Sequence, residues 1–398
     1  MGNVPHLRFP EFTEEWKETK LGKIAEITKG SGISKDRLSE YGSPCILYGE
    51  LYTKYKSEII NEVYSRTELD SSLLVKSKAN DVIIPCSGET AIDISTARCV
   101  PFNNILLGGD LNIIRLKNND GGFFAYQLNG TRKKDIARVA QGVSVVHLYG
   151  ENLKHIRVYH PAIEEQKKIT RLLSLIDKRI ATQNKIIEKL QSLIKGLNDN
   201  IHKGIKGETV CFSDLGEAYS GLSGKGGDDF GYGEPFITYM NVYQNTYISE
   251  KDYELVQIAP NEKQNSVQYG DALFTLSSET PEEVGIGAVY LGNTQKLYLN
   301  SFCFGIHFYD ERVLPQYLAH FISSSSFRRA IYPLAQGSTR FNLQKNDFMK
   351  MKFLLPSLEK QGHIANTLDA LHCRLANEKS LTEQYILLKK YLLSLMFI

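Results

Sequence analysis

The sequence has few side chains in the spacings that catalysis requires. The Gly-rich segment from Lys29 to Lys35 departs from the dinucleotide-binding pattern Gly-x-Gly-x-x-Gly at its last position and lacks the Walker A spacing. A second Gly-rich segment, Gly221 to Gly226, has a Gly-Lys pair without the other Walker A residues around it. The chain has no His-Glu-x-x-His motif and no Gly-x-Ser-x-Gly motif. We therefore expect a protein that has no catalytic residues of its own.

The six cysteines do not form a recognisable metal or redox motif. None stands in Cys-x-x-Cys spacing, so the sequence indicates neither a zinc site nor a redox pair. Buried, reduced thiols are typical of cytoplasmic proteins. The N-terminus lacks a signal peptide, and the apolar stretch from Tyr391 to Ile398 is too short to cross a membrane. These features predict a cytoplasmic protein that binds no metal and no membrane.

The most informative pattern is a duplication with an offset of about 190 residues. Three motifs recur in the same order: Gly-x-Pro-x-Ile-x-Tyr at Gly42 and Gly233, Asp-x5-Ser-x-Glu-Thr at Asp81 and Asp271, and Pro-x-(Ile/Leu)-Glu-x-Gln at Pro161 and Pro356. So long a period indicates a duplicated domain and not an array of short repeats. We expect such a chain to perform one recognition act twice.

The charge of the chain is local rather than global. The net charge is +2, which is less basic than a small DNA-binding domain would be. Residues 1–204 contain 30 Lys and Arg against 24 Asp and Glu, and the remainder contains 17 against 21. Stretches 129–160 and 327–352 are both rich in Lys and Arg and occupy corresponding places in the two copies. Matching basic stretches favour phosphate contacts, with a partner supplying further positive charge.

Positions at which the two copies differ are the candidates for sequence-specific DNA contact. If the halves read different sequences, residues common to both cannot discriminate between them. Two windows differ within a matching frame: 29–37 against 220–228, and the residues that follow Gln141 and Gln336. Gly-rich loops with hydroxyl, amide and basic side chains suit contact with base edges. The candidate DNA-binding residues are Lys29, Ser31, Lys35, Arg37, Gln141, Ser144, His147, Ser220, Lys225, Gln336, Ser338, Thr339, Arg340 and Asn342.

A glutamate shared by the two copies leaves two roles open. Glu89 and Glu279 follow the repeated serine in the same spacing. Each carboxylate could accept a hydrogen bond from cytosine N4, or it could cap a turn together with its Ser and Thr neighbours.

Two stretches predict long helices. Apolar residues recur at alternating spacings of three and four after Pro161 and again after Pro356, which is typical of a coiled coil. About 40 residues of helix would measure roughly 60 Å. The positions expected on these helices are Gln166, Ile169, Leu173, Ile180, Gln183, Gln361, Ile364, Leu368 and Leu371.

The remaining segments predict an α+β fold. Short apolar runs at 81–85, 111–116, 271–274 and 302–308 predict strands, whereas 123–128 and 316–321 predict helices. The expected architecture is two α+β globular regions that are joined and followed by long helices, which pair with each other. The predicted boundaries are 1–160 and 205–355 for the domains, and 161–204 and 356–398 for the helices.

These residues together resemble the specificity subunit (HsdS) of type I restriction–modification systems. The N-terminal segment from Val4 to Gly22, with Trp16, resembles the start of that family's first recognition domain, and the Pro-Glu-Gln motifs resemble its junctions with the spacer helices. In the second copy Val210 is expected to align with Trp16. The resemblance covers essentially the whole chain. It implies two tandem α/β target-recognition domains separated by two long spacer helices, which form an antiparallel coiled coil and dock partners through the helix positions named above.

The resemblance implies a non-catalytic subunit that recognises double-stranded DNA with a bipartite site. It implies two methyltransferase subunits that use S-adenosylmethionine and flip the target adenine, and restriction subunits that use ATP and Mg²⁺ to translocate DNA. No cofactor is expected in this chain.

Two other functions remain open on the sequence alone. One is a stand-alone nuclease, for which Glu15-Trp16-Lys17 is the only suggestive motif. The other is a coiled-coil assembly protein without a role on DNA.

Overall fold

The chain consists of two compact units. The computed structural model describes residues 2–398. Unit 1 contains the residues up to Asn184 together with Ser380–Ile398, and unit 2 contains Lys185–Lys379. The second unit is therefore a continuous stretch of chain, whereas the first is assembled from two separate stretches.

Unit 1 is built from short strands and short helices that precede one long helix. Its strands are β1 Lys17–Lys20, β2 Ala25–Lys29, β3 Leu38–Ser39, β4 Ser43–Ile46, β5 Ser65–Thr67, β6 Asp81–Pro85, β7 Ser87–Gly88, β8 Arg98–Val100, β9 Leu106–Leu107, β10 Leu111–Leu116, β11 Val146–His147 and β12 Arg157–His160. Its short helices are α1 Leu21–Ile24, α2 Glu50–Thr53, α3 Ala91–Ile94, α4 Gly121–Asn129, α5 Lys133–Arg138 and α6 Gly150–Lys154. The long helix α7 then runs from Ile163 to Lys203 and crosses into unit 2.

Unit 2 repeats this order. Its strands are β13 Glu208–Cys211, β14 Gly216–Ser220, β15 Phe230–Ile237, β16 Tyr253–Val256, β17 Ala272–Thr275, β18 Ser277–Ser278, β19 Gly287–Val289, β20 Tyr298–Leu299, β21 Cys303–Phe308, β22 Ala335–Gln336, β23 Phe341–Leu343 and β24 Lys352–Leu355. Its short helices are α8 Phe212–Leu215, α9 Tyr239–Gln244, α10 Pro315–Ser323, α11 Ser325–Ile331 and α12 Lys345–Met349. The second long helix, α13, spans Leu358–Met396 and ends in unit 1.

The central sheet and the first strand pair have the same topology in both units. A four-stranded sheet has the order β2-β10-β6-β8 in unit 1 and β14-β21-β17-β19 in unit 2. In each unit the strand before the first short helix pairs with the strand before the long helix, as β1 with β12 and β13 with β24. The strands predicted near 81–85, 111–116, 271–274 and 302–308, and the helices at 123–128 and 316–321, are all present.

The central sheet strands and the helix behind them form the main core of each unit. β6 is buried at all five positions, because Val82, Ile83 and Ile84 can face apolar layers on both sides. Helix α4 begins at Asp120, whose carboxylate accepts a hydrogen bond from the Phe123 amide at 2.8 Å.

The two long helices run antiparallel within unit 1. Asp177 of α7 pairs with Lys389 of α13, and the Arg179 guanidinium lies 5.9 Å from the centroid of the Tyr385 ring. The contacts therefore advance along α7 while they go back along α13. The predicted fold class, α+β with two tandem domains and two long helices, is confirmed.

The strand register corrects the predicted alignment of Trp16 with Val210. Lys17 pairs with His160 in β1–β12, and Glu208 pairs with Leu355 in β13–β24. Glu208 is thus the counterpart of Lys17, so Trp16 corresponds to Gly207 and not to Val210. A Cβ at Gly207 would lie 2.0 Å from the Leu355 carbonyl oxygen, so no side chain fits there.

Trp16 has a place in unit 1 that unit 2 does not reproduce. Its indole is 1% exposed and makes edge contacts with Phe123 and Phe397, at ring-centroid distances of 5.4 and 6.2 Å. Beside it, buried Glu165 accepts two hydrogen bonds of 2.7 Å from the Arg8 guanidinium. That pairing raises the pKa of Arg8 and holds the N-terminal segment against the start of α7.

Candidate nucleic-acid interface

Each unit presents an exposed hairpin at the second of the two windows. In unit 1 Gln141 pairs with His147, and in unit 2 Gln336 pairs with Asn342. The tips between these pairs are exposed, with Val143 97% exposed. The two hairpins therefore share one backbone frame and differ in the side chains at the tip.

A glycine makes each hairpin turn possible. Gly142 has φ +122° and Gly337 has φ +146°, which L side chains rarely adopt. A Cβ at either position would lie 2.1 Å from a carbonyl oxygen across the turn. The glycines that the two copies share thus fix the shape of the tip, while Ser144 and the run Ser338, Thr339 and Arg340 remain exposed on it.

The shared Ser-x-Glu-Thr turn supports the variable hairpin. β7, which carries Ser87, pairs with β11, and β18, which carries Ser277, pairs with β23. Thr90 caps α3 by accepting a hydrogen bond of 3.1 Å from the Asp93 amide. Across residues 2–398, no hydrogen bond or ion pair involves the side chain of Glu89 or Glu279, so neither glutamate caps the turn.

In unit 1 the first window lies at the edge of a groove. Lys29, Lys35 and Arg37 are exposed, whereas the Ser31 hydroxyl accepts a hydrogen bond of 2.8 Å from the Val75 amide. The adjacent groove has a volume of about 890 Å³. Its lining includes Lys35, Tyr48, Tyr52, Gly108 and Asp110.

In unit 2 the first window is largely occupied by its own contacts. The Lys225 side chain is 8% exposed and donates hydrogen bonds to the Gln257 carbonyl at 2.6 Å and to Glu262 at 2.5 Å. The hydrogen bond from Lys225 lowers the pKa of Glu262 to about 2. The Ser220 carbonyl accepts a hydrogen bond from Asn265. Lys225 would have to leave this loop contact before it could reach DNA.

Many of the basic residues expected to contact phosphates have partners inside their unit. In unit 1 the internal pairs are Arg132 with the Ile398 carbonyl, Arg138 with Asp135, Lys154 with Glu151 and Arg157 with Glu18. In unit 2 the half-buried Arg328 donates to the carbonyls of Glu282, Val284 and Gly285. These internal pairs would compete with phosphates for the same side chains, and the expected phosphate contacts stay a prediction.

Across the described residues, exposed basic side chains without an ion pair occur in both units, among them Lys29, Lys35 and Lys134 in unit 1. Arg340 lies on the hairpin tip, with its guanidinium 5.7 Å from the centroid of the Phe302 ring. Arg329, Lys350 and Lys352 are also exposed, and across residues 2–398 none of them forms an ion pair.

The glutamine of the Pro-Glu-Gln motif ties each long helix to its unit. The Gln166 amide donates to the Pro161 carbonyl and accepts from the Asp120 amide, both at 2.9 Å. Gln361 does the same with the Pro356 carbonyl and the Leu314 amide, at 2.9 and 2.7 Å. Both glutamines are buried, so they position the helix and offer no surface to a partner.

The other positions predicted on the helices divide by exposure. Ile169, Leu173, Ile364 and Leu368 are buried in the core of their own unit. Gln183 is also buried, whereas Ile180 and Leu371 are partly exposed. The large exposed apolar side chains on α13 lie elsewhere, at Leu358, Leu381, Ile386, Leu387, Leu388 and Tyr391. The heptad pattern does not predict how many apolar side chains of α13 stay exposed, because their exposure depends on which face of the helix packs against its unit.

The described part of the chain has neither a cluster of metal ligands nor a helix that could span a membrane. In residues 2–398 no group of three or more His, Cys, Asp and Glu side chains is arranged to hold a metal ion. None of the helices there is long and apolar enough to cross a membrane.

The chain is similar to curated specificity subunits. It is 21% identical to the type I restriction enzyme MjaVIII specificity subunit of Methanocaldococcus jannaschii, over 98% of this chain and 93% of that protein. It is 23% identical to the putative MjaX specificity subunit of the same organism, over 99% and 95% of the two chains.

Solved structures share the fold. The S subunit of a type I restriction–modification system from M. genitalium matches with a TM-score of 0.61 and 13% identity, over 99% of both chains. A structure from a study of complex assembly and conformational transition of the type I R-M system matches with a TM-score of 0.58 and 14% identity, over 95% and 96% of the two chains.

A family model gives the assignment. The type I restriction modification DNA specificity domain matches twice, at residues 13–192 and 207–384. Each match contains one exposed hairpin, one Ser-x-Glu-Thr turn and one glutamine-anchored helix start. The chain therefore belongs to the family of type I restriction modification DNA specificity domains, a family of DNA-recognition proteins and not of enzymes, and it carries two copies of that domain.

Proposed function

We propose that this chain reads a bipartite DNA site, with each unit recognising one half. The observation that carries the proposal is the repeated hairpin, which has the same backbone frame in both units but different exposed tips. Hairpins with the same backbone but different tip side chains would let the two units dock on DNA in the same way and contact different base sequences. The spacer between them would fix an unread gap in the site.

The proposed partners are two methyltransferase subunits and the restriction subunits of a type I complex. The curated relatives are named specificity subunits, and one structural relative comes from work on complex assembly. The exposed apolar side chains of α13, among them Leu387 and Tyr391 at 65% and 60% exposure, are suited to covering by a methyltransferase subunit. S-adenosylmethionine, ATP and Mg²⁺ would be bound by these partners and not by this chain.

The charge distribution supports dependence on partners. Internal pairs engage Arg138, Lys154 and Arg157 of unit 1, so these three side chains would attract phosphates less strongly. A methyltransferase subunit that encloses the DNA would add the missing positive charge. We also propose a cytoplasmic location, because the DNA of a prokaryotic cell lies there and the named relatives come from an archaeon.

The test is a genome-wide map of N6-methyladenine in cells that express this chain with its methyltransferase subunit. We expect a bipartite motif with a fixed gap that disappears when the chain is omitted. A continuous motif, or methylation that does not depend on the chain, would contradict the proposal. Cleavage of DNA by the purified chain with Mg²⁺ alone would instead favour a nuclease.

A further inference from the structure

A row of three side chains crosses each exposed hairpin. In unit 1 His147 pairs with Ser87 on one side and with Gln141 on the other. In unit 2 Asn342 pairs with Ser277 and Gln336 in the same way. Side chains of directly paired residues in antiparallel strands stand on the same face. Each unit therefore presents a Ser–X–Gln row in which only the central residue differs.

The backbone on either side fixes the direction of the central side chain. Val146 and Leu148 are buried next to His147, and Leu343 is buried next to Asn342. The Leu148 amide donates to the Cys86 carbonyl at 2.7 Å, and the Leu343 amide donates to the Leu276 carbonyl at 2.8 Å. Since side chains alternate along a strand, His147 and Asn342 must face outward, and both are exposed.

The polar groups of the row are available to a ligand. Across residues 2–398, the side chains of His147, Asn342, Gln141 and Gln336 form no hydrogen bond. The ring of His147 lies roughly parallel to that of Tyr149, with a centroid distance of 6.2 Å. An exposed polar side chain without a protein partner is suited to reading a base edge.

We propose that the central residue of this row selects a base in each half-site, an inference that rests on the DNA-recognition function proposed above. The Asn342 side chain has an NH₂ donor and a carbonyl acceptor. It can donate to adenine N7 and accept from the adenine N6 amino group, which is the bidentate pairing of asparagine with adenine. The imidazole N–H of His147 can donate to N7 of a purine. The flanking Gln141 and Gln336 are exposed and common to both units, so they would contact groups that do not depend on sequence, whereas Ser277 is buried and belongs to the supporting frame.

The test exchanges the central residues in the complete chain, expressed with its methyltransferase subunit, and maps N6-methyladenine in the genome. We expect Asn342→His and His147→Asn each to change the accepted base at one position of one half-site. The loss of preference for the original base should be on the order of ten-fold or more. The other half-site and the gap should stay the same, which also shows that the variant chain is folded.

A third variant gives a directional result. Asn342→Asp replaces an amide by a carboxylate that only accepts hydrogen bonds, so preference should move from adenine towards cytosine, whose N4 donates. Gln336→Ala and Gln141→Ala are the matched controls. They should lower methylation at all sites without changing the motif.

The outcomes separate this inference from the proposed function. A bipartite wild-type motif that none of the central variants alters would overturn the inference and leave the proposed function standing. A wild-type chain that directs no motif would contradict both. If a variant supports no methylation, binding of the purified complex to duplexes that differ at one base pair decides: an unchanged base preference overturns the inference.

Discussion

The two units use different chemistry at the same place in the fold. Tyr126 is the sixth residue of α4, and His320 is the sixth residue of α10. Asp177 is the fifteenth residue of α7, and His372 is the fifteenth residue of α13. At these junctions, where a short helix meets a long one, unit 1 has a tyrosine and a carboxylate, while unit 2 has two histidines.

The junction of unit 1 is a buried ion cluster. The Lys389 ammonium lies 2.7 Å from Asp177 and 2.5 Å from Glu58, and the Tyr126 hydroxyl donates to Asp177 at 2.6 Å. Burial and the nearby Glu58 raise the pKa of Asp177. Burial alone would lower the pKa of Lys389, but the two carboxylates raise it overall. The cluster therefore depends on a cation that stays charged at neutral pH.

The junction of unit 2 is a cluster of neutral rings around one carboxylate. Asp369 lies 2.7 Å from Nε2 of His320 and accepts a hydrogen bond of 2.6 Å from the Tyr247 hydroxyl. His372 stacks on His320 with a centroid distance of 5.3 Å. Burial lowers the pKa of His320, His372 and the nearby His202, against the opposing effect of Asp369 on His320 and of Asp199 on His202.

The comparison teaches that the duplicated frame constrains shape more than chemistry. The backbone contacts and the anchoring glutamines are the same in both units, whereas the polar groups at the junction have been replaced entirely. We therefore expect matching substitutions to lower the free energy of unfolding of the two units equally where the units agree, and unequally where they differ.

The largest expected effect is from Lys389→Met. It would leave Asp177 and Glu58 buried without a counter-charge and destabilise unit 1 by about 3–5 kcal/mol. Trp16, the only tryptophan, lies in unit 1, so denaturation followed by its fluorescence reports on that unit. Lys390→Met, on the exposed neighbour, is the control and should change little. Equal midpoints for the two variants would refute a stabilising ion cluster.

The anchoring glutamines test the part on which the units agree. Gln166→Ala and Gln361→Ala should each destabilise their unit by about 2 kcal/mol, because each change leaves a buried amide and a carbonyl without a partner. Hydrogen exchange of peptides from each unit measures both effects, with Lys167→Ala and Lys360→Ala as exposed controls. Clearly different losses of stability for the two glutamine variants would show that the two helix starts are not equivalent.

Acid should separate the units. A histidine with a lowered folded-state pKa contributes stability that is present above its unfolded pKa of about 6.5 and lost as pH falls. Unit 2 should therefore lose stability between pH 7.5 and 5.5, by up to about 1.4 kcal/mol per pH unit for each proton taken up. The raised pKa of Asp177 has the opposite sign, so its cluster should not weaken unit 1 in this range. Unit 1 has one histidine of this kind, His160, whose pKa is also lowered by burial. Hydrogen exchange at the two pH values, corrected for intrinsic rates, should therefore show a larger loss of protection in unit 2, which contains His202, His320 and His372, than in unit 1.

The smallest expected effect is a gain. His202 occupies the place in unit 2 that Phe397 occupies in unit 1, next to Tyr317 and Phe321 at ring-centroid distances of 5.6 Å. Its Nδ1 is bonded to the Asn198 carbonyl, but Nε2 is buried without a hydrogen-bond partner. His202→Phe should stabilise unit 2 by about 1 kcal/mol and reduce its sensitivity to acid. His202→Asn keeps a polar group at this position and should not stabilise unit 2. A loss of stability in His202→Phe would show that the imidazole is needed.

The periodic and repeated features of the sequence predicted the fold well. The heptad spacing predicted helices at 161–204 and 356–398, and the observed helices are Ile163–Lys203 and Leu358–Met396. The window after Gln141 and Gln336 indeed forms an exposed hairpin in each unit, although contact with DNA stays a prediction for all fourteen candidates.

Features that depend on partners distant in sequence could not be predicted. The basic stretch 327–352 predicts a phosphate contact for Arg328. The internal partners of its guanidinium are carbonyls more than 40 residues away, which the sequence alone does not reveal. Lys225 resembled a free loop cation, yet Glu262 holds it. Trp16 was misaligned because only the pairing of β1 with β12 fixes its counterpart, and that pairing joins residues about 140 positions apart.

The division of unit 1 into two stretches of chain has a consequence for biosynthesis. Unit 2 can fold as soon as its continuous stretch has left the ribosome, whereas unit 1 needs Ser380–Ile398, which include the buried Met396 and Phe397. Those residues are made about 200 positions after Asn184, which takes on the order of 10 to 40 s at typical rates of translation. During that interval the nascent first half exposes the apolar surface around Trp16, where a chaperone could bind until the C-terminal helix arrives.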